Sequence, residues 1–564
     1  MIVTREETSR AHLATGVWGR VTLDQILEKN AATKPDKLAV ADFADRSEWT
    51  TGRAQQLTYR ELDQRVETLA AFFAGLGLTP DSVIGMQMPP MADAVVVFFA
   101  AIRAGLIVAP MPLAWREAEV IEALTQVGAK AIATVAETID EAHGERLRDV
   151  AAEMFHIRFV FAAGGKVPDG VIDLDRVFDE TEGLGSAPNI IRKGNAADHA
   201  ASIAWSVPAD GGTAVPLARA HNHWIATGLM TLLEAKIDQS AVILSPFAVT
   251  SLAALGGALM PWLLACGTLV LGLPRSVDRF AETAADFKAT HILTPQRFAK
   301  RLSERLDMLR QEPMLLVVGG DRPVDTNMPR SHDIVDLTQL GELALIARRR
   351  PEPEAPSPLP VGAVGAPSET DFAPLLFEAR VKAVALSARE ASKRSATVGE
   401  VQLRGAMVPD HAFSPTGRAV ALSAEEQWIS TGTACELVSA HPARYALKGP
   451  IGDRIGVGGL GIDLKRLDDL YKSIDGVADA AAVPFPDATS LRVAALVVPE
   501  PGRSFSREAF VAAVRDKRVG LHKLPVDVFI VPSIARSGND RVLRAGMASR
   551  LAGQQAATEP PPAA

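Results

Sequence analysis

Apolar residues along this chain alternate between short continuous runs and helical three-to-four-residue spacing, with Gly and Pro at the changes of pattern. Thr22 to Pro35 predicts an opening amphipathic helix with Leu23, Ile26 and Leu27 on one side. Thr58 and Glu61 form a capping box for a second helix, in which Leu62, Val66, Leu69, Ala70 and Phe73 share a face. Gly75 and Gly77 end it. Asp81 to Met88 then reads as a strand, Met91 to Ala104 as a helix and Leu106 to Ala109 as a strand, a β-α-β order that implies parallel pairing. Lys130 to Val135, Arg158 to Ala162, Ser202 to Trp205, Ala241 to Pro246, His291 to Pro295 and Met314 to Val318 continue the alternation. This predicts a doubly wound, layered domain.

Around Gly449 the composition turns glycine-rich and charged, and a shorter pattern begins. Asp463 to Ser473 and Arg507 to Lys517 read as helices; Ala478 to Pro484, Arg492 to Pro499 and Val526 to Val531 read as strands. The expected class is therefore α/β: a large layered N-terminal domain over 1–449, with mixed and parallel sheets and a β-rich section, and a small α+β domain over 450–552. The remainder, 553–564, is low in complexity and is expected to be disordered.

From Gln239 to Pro274 no residue is charged, which is long enough to raise the question of a membrane span. Gly256, Gly257, Pro261, Gly267 and Gly272 break the stretch, so a buried helix followed by the strand Thr268 to Leu271 is the expectation. The triplet Arg348 to Arg350, opening a Pro-rich loop, reads as a solvated bend.

With 564 residues, of which 48% are hydrophobic, the chain can bury a large core. A formal net charge of -8 argues against nucleic acid as a partner. Cys266 and Cys435 are far apart and form no C-x-x-C pair, and the first residues lack an apolar signal region, so a reducing cytoplasm is expected.

Chemistry concentrates first in Ala201 to Trp224, reading ASIAWSVPADGGTAVPLARAHNHW. The small residues around Asp210, Gly211, Gly212 and Ala214 let backbone N–H groups approach a ligand, and Thr213 adds a hydroxyl, as in loops that cradle phosphates. The Walker spacing is absent, and the residues alone favour a surface turn. His221 and His223 could suggest a metal, yet no third ligand follows at zinc-type spacing. Gly456, Gly458 and Gly461 satisfy G-x-G-x-x-G, but Gly449, Pro450 and Gly452 interrupt the strand that a dinucleotide fingerprint requires.

The loop resembles the S-G-T-T-G-x-P-K signature of the ANL adenylate-forming superfamily, which includes acyl-CoA synthetases, peptide-synthetase adenylation domains and luciferases. Gly211, Thr213 and Pro216 match; Asp210, Gly212 and Ala214 depart, and Leu217 stands at the lysine. The run VIGMQMPPMADAVVVFFAAIRAGLIVAPM resembles the family's strand, helix and A-G-turn-strand, and PVGAVGAP with GEVQLRGAMV resembles its β-rich section. Val249 stands where the family has a histidine. Val317 to Asp321 resembles the strand and turn beside the adenine, implying nucleotide contacts by Gly319, Gly320 and Asp321.

DLTQLGELA resembles Y-G-x-T-E, with Gly341 matching and Ala344 in place of the magnesium-binding glutamate. WISTGT resembles W-F-x-T-G-D, with Thr433 replacing the ribose-binding aspartate. In KGPIGDRIGVGGLGIDL the resemblance implies a hinge at Asp453 and CoA contacts at Gly458 and Gly459, while Pro450 replaces a nucleotide-contacting arginine. Near the C-terminus Arg541 aligns with the adenylation lysine, and a guanidinium differs in geometry from a compact ammonium.

By resemblance the reaction is ATP-dependent adenylation of a carboxylic acid followed by attack of the CoA thiol, with ATP or AMP, CoA and magnesium as cofactors. Leu217, Ala344, Thr433, Pro450 and Arg541 replace the groups that would stabilise charge. The leading expectation is thus an acyl-CoA synthetase homologue with lost or strongly weakened ligase activity, binding an acyl group, a nucleotide or a protein. The alternative is an active ligase using Arg541, with Asp210 or Glu342 rearranged as ligands. Expected partners are a carboxylic acid or acyl-CoA, and an intact paralogue or a second copy of the chain. The uncharged Gln239 to Gly272 region suggests an apolar acyl group.

Overall fold

The computed structural model describes all residues except 181–185, 209–211, 321–330, 353–357, 366–373, 384–397, 417–419, 424–427, 458–459, 487–490, 538–540, 545–546 and 548–564. The expected disordered tail lies outside the described residues, as do Asp210, Gly211, Asp321, Gly458 and Gly459. The chain divides into two compact units. One comprises Met1–Leu113, Ile121–Ser206 and Val215–Gly449; the other comprises Ala114–Val120, Val207–Ala214 and Pro450–Ala564.

The first unit is layered and mixed α/β. Its helix Ala92–Arg103 is buried at every position, so it has no solvent face, and its two charged residues, Asp93 and Arg103, are ion-paired with Arg46 and Asp63. The flanking strands Val83–Met86 and Ile107–Pro110 pair in parallel, the β-α-β unit that the alternation predicts. They lie within a sheet running Val420–Ala421, His411–Ala412, Val215–Ala220, Ala200–Ser206, Ile107–Pro110, Val83–Met86, Ala131–Val135, Phe159–Ala163 and Ile172–Asp173 among the described residues. Pairing is parallel from Ala200–Ser206 to Ile172–Asp173 and antiparallel at the other end, where Ala200–Ser206 meets Val215–Ala220.

A second sheet runs Ala344–Arg349, Ile334–Leu340, Met314–Gly319, His291–Pro295, Val242–Ser245, Thr268–Leu271, Leu38–Asp42 and Gln56–Thr58. Its inner strands are parallel and both edge strands antiparallel. A third sheet contains Ala443–Pro450, Ile429–Ala440, Val398–Arg404 and Leu375–Ala383. Strand structure therefore continues through Gly449 and Pro450, where the sequence reading expected it to be interrupted. Proline is tolerated there because it terminates the strand, where its missing N–H breaks no further ladder bond.

The uncharged stretch folds as helical turns over Leu252–Ala265, with a π-helical segment at Leu255–Leu259, followed by the strand Thr268–Leu271. No described helix is long and apolar enough to cross a membrane. Glycine serves contact rather than turning at Gly228: a Cβ there would lie 2.3 Å from the Cβ of Met260, so only Gly lets these two helices meet. The arginine triplet is not a solvated bend. Arg348 pairs with Glu234, Arg349 with Asp333, and Arg350 is buried against Asp336 at 2.8 Å, so the cations end an edge strand inside an ion-pair ladder.

The second unit carries the antiparallel hairpin Arg454–Val457 and Leu460–Asp463, a three-stranded sheet of Val477–Pro486, Leu491–Pro499 and Val528–Ile530, and helices Leu464–Lys472 and Arg507–Asp516. Its apolar core includes Leu467, Tyr471, Val493, Phe510 and Val514.

Candidate functional site

In the first unit the parallel strands Met314–Gly319 and Ile334–Leu340 lie side by side, with Gly319 opposite Thr338. Gly320 and Gly341 follow directly at their carboxyl ends, where open α/β sheets place ligands. Gly341 takes φ +54°, and neither it nor Gly320 would bring an added Cβ within 4 Å of another atom among the described residues. Among the described residues both therefore border open space. The structure brings Gly319, Gly320 and Gly341 together on one edge.

The turn after Leu340 is closed by the Leu343 N–H donating to the Leu340 carbonyl at 3.1 Å. Ala344 then starts the edge strand opposite Leu340 and is fully buried. Its methyl offers no oxygen to a cation, so the residues present do not fit the magnesium ligation that the resemblance implies at this position. Among the described residues there is no group of three or more His, Cys, Asp and Glu that could hold a metal.

Leu217 is likewise a core residue: 2% exposed, it lies in the strand Val215–Ala220 between Ala204 and Ala412. Val249 is buried as well. Thr433 is 1% exposed, and its N–H donates to the Thr431 hydroxyl at 3.1 Å. Glu400 on the neighbouring strand accepts from the Gly432 N–H at 2.9 Å and from the Ser430 hydroxyl. The Ser430 hydroxyl and the Gly432 and Thr433 N–H groups are thus committed within this segment and its neighbouring strand.

One site feature was not read from the sequence. Arg219 is completely buried two residues beyond Leu217, on the same face of the strand. Its Nη2 donates to the carbonyls of Glu342 at 2.7 Å and Leu343 at 2.9 Å, and its Nη1 to that of Met407 at 3.2 Å. The guanidinium lies 4.7 Å over the Trp224 ring, and burial draws its pKa down to about 10 against the opposing charge of Glu342. The Glu342 carboxyl accepts from Gln339 at 3.1 Å; burial pushes its pKa up to about 7, with Arg219 pulling it back. The alternation of the strand places Arg219 on the Leu217 face, which was the one available sequence signal.

The histidine pair is structural. His221 Nδ1 accepts from the Leu23 N–H at 3.2 Å and His223 Nδ1 from the Ala220 N–H at 3.0 Å. Burial lowers their pKa values to about 4 and about 3. Each neutral ring caps a backbone donor, which leaves that nitrogen unavailable to a metal.

In the second unit, the Gly212 N–H donates to Asp463 Oδ2 at 2.7 Å, and Thr213 follows in the same segment, Val207–Ala214. Arg466 reaches the Gly212 carbonyl at 3.4 Å, and Arg454 donates to the Val207 carbonyl at 2.7 Å. Pro450 opens the last segment of this unit. Asp453 takes Arg541 Nε at 3.0 Å and lies 3.4 Å from Arg544, which is anchored on Asp468 at 2.6 Å. Arg541 and Asp453 are therefore an ion pair.

The family model for AMP-binding enzymes matches residues 27–340, more than half of the chain. The chain belongs to the AMP-binding enzyme family. This AMP-binding enzyme homologue is 25% identical, over 94% of its length and 93% of the relative's, to a Streptomyces protein named salicylyl-CoA synthase / salicylate adenylyltransferase. It is 36% identical over 26% of its length, and 25% of the relative's, to the Mycobacterium tuberculosis salicyl-AMP ligase / salicyl-S-ArCP synthetase. Among solved structures, Mycobacterium smegmatis MbtA matches with TM-score 0.64 at 19% identity, over 97% of this chain and 98% of that one. The amide bond synthetase McbA of Marinactinospora thermotolerans gives TM-score 0.71 at 18% identity, over 94% and 99%. These likenesses give the ANL adenylate-forming fold, with its large N-terminal and small C-terminal domains.

Proposed function

We propose that this member of the AMP-forming acid ligase family binds an aromatic or other apolar carboxylic acid, or its acyl-CoA, and has lost or strongly weakened ligase activity. The carrying observation is that Leu217 and Ala344, at the positions of the family's lysine and magnesium-binding glutamate, are packed core side chains. A removed transition-state donor costs about 2.7–4 kcal/mol in a well-studied enzyme, and such losses do not add simply. Thr433 supports the same reading, because exchanging an ionised acceptor for a hydroxyl removes a charge-assisted bond of about 1.5–3 kcal/mol.

ATP or AMP is the nucleotide in this reading, held at Gly319, Gly320 and Gly341. Asp453 acts as the hinge, and Gly458 and Gly459 as contacts for CoA. The protein works in the cytoplasm, with an intact paralogue or a second copy as partner. An active acid-CoA ligase is the second reading, favoured by the match to the Streptomyces salicylate adenylyltransferase over nearly the whole chain; Arg541 then stands in for the lysine. Calorimetric titration with AMP, salicylate and salicylyl-CoA tests the binding claim. Heat from salicylate or salicylyl-CoA is expected, and silence with all three up to millimolar concentration contradicts it.

A further inference from the structure

Arg219 is a charge placed where packing alone would favour hydrocarbon. Its side chain is fully buried, yet none of its described hydrogen bonds goes to a carboxylate; all three go to backbone carbonyls. Desolvating a guanidinium without an ion-paired partner is unfavourable, so its retention asks for a compensating role. The carbonyls it collects come from two distant segments, Glu342 with Leu343 and Met407. Only a planar fork with several donors can reach all three from one side chain.

The first of these segments is the turn that puts Gly341 at the carboxyl edge beside Gly320. The second, around Met407, is held in turn by the Trp18 Nε1–H donating to the Ala406 carbonyl at 3.0 Å and by the Met407 N–H donating to the Leu376 carbonyl at 3.1 Å. Arg219 itself is fixed from the other side by Trp224, whose Nε1–H donates to the Ser202 hydroxyl at 2.7 Å. The side chain thus ties the strand Val215–Ala220 to the turn bordering that edge.

We propose that Arg219 is a positioning residue for ligand binding at the Gly320–Gly341 edge, setting the Gly341–Leu343 turn through its two bonds to the turn carbonyls. The inference rests on the reading that this edge binds the nucleotide or acid. It acts through the backbone, since Arg219 is buried beneath the turn and has no surface of its own to offer a ligand. A hydrocarbon at 219 would leave the Glu342, Leu343 and Met407 carbonyls without this donor and release the turn. Lysine would keep the charge but could not span both segments.

Hydrogen exchange of peptides covering Gln339–Ala347, read in the full-length protein alongside AMP and salicylate titrations, tests this. Arg219→Lys is expected to speed exchange in those peptides about tenfold and to weaken whichever probe binds by a similar factor, while peptides from Val83–Pro110 exchange as in the parent. Arg219→Met is expected to do the same more strongly. Unchanged exchange at Gln339–Ala347 in Arg219→Lys overturns the proposal, as does a rise spread evenly over the first unit, which marks a general core role. Local release of the turn without any change in probe affinity also overturns it. If the parent protein binds neither probe while the turn is locally released, the reading of the edge as a ligand site fails and the Arg219 contacts with the turn stand.

Discussion

Arg219 bonds the main chain of Glu342 at 2.7 Å while pulling the same residue's carboxyl, raised by burial, back towards its ionised form, so one cation acts on both the shape of the Gly341 turn and its charge. The positive charge on this strand face stands at 219, buried and turned to carbonyls. At 217, where the family resemblance places a lysine, there is a packed leucine.

Glu342 makes stability depend on pH in a defined sense. Its folded pKa of about 7 lies above the ordinary 4.5, so the folded state holds the proton more tightly than the unfolded chain. The carboxyl is therefore harmless below pH 4.5, and stability falls as pH rises towards 7, beyond which the penalty is constant. Glu342→Gln should be about 2 kcal/mol more stable than the parent at pH 8 and equal to it at pH 4, allowing for the solvent that still reaches the side chain. Urea unfolding across that range reads the difference.

The buried histidines act in the opposite direction. His223 has a folded pKa of about 3 against an ordinary 6.5, so the folded state rejects its proton, and stability is lost as pH falls below 6.5. His223→Asn, which can still accept from the Ala220 N–H, should remove about 3 kcal/mol of the fall between pH 6.5 and 4. An unchanged acid limb in the unfolding curves would contradict this.

Gly228→Ala tests the helix crossing. The new methyl would meet the Cβ of Met260 at 2.3 Å, so the helices must part, at about 1–3 kcal/mol. A lowered Tm with a native circular-dichroism spectrum is the expected result.

Restoring the family's glutamate is not a neutral repair here. Ala344 is fully enclosed opposite Leu340, so Ala344→Glu buries a carboxylate without a partner and should cost several kcal/mol of stability. A thermal shift assay reads it directly; an unchanged Tm would mean that the residue faces a solvated site after all.

Much of this fold was legible because local pattern and tertiary role agree. The strands His291–Pro295 and Thr268–Leu271 begin and end where the apolar runs do, and Thr58 accepts from the Glu61 N–H as the capping box requires. The arginines were not legible. Arg219 and Arg350 look like surface residues in sequence, and their burial depends on Met407, Glu342 and Asp336, partners whose proximity only the sheet order creates. Gly449 and Pro450 were read as strand breakers from local propensity, and the neighbouring strands of the third sheet override it. The apolar character of Leu217 and Ala344 was readable, whereas their enclosure in the core was not.

Acid-dependent exchange of labelled pyrophosphate into ATP tests the central claim most directly, run with salicylate, substituted benzoates and medium-chain fatty acids in the presence of magnesium. With Leu217 and Ala344 in the core, exchange is expected to stay at the no-acid background for every acid. Exchange well above that background with any of them would contradict the loss of ligase activity and establish a working adenylation site.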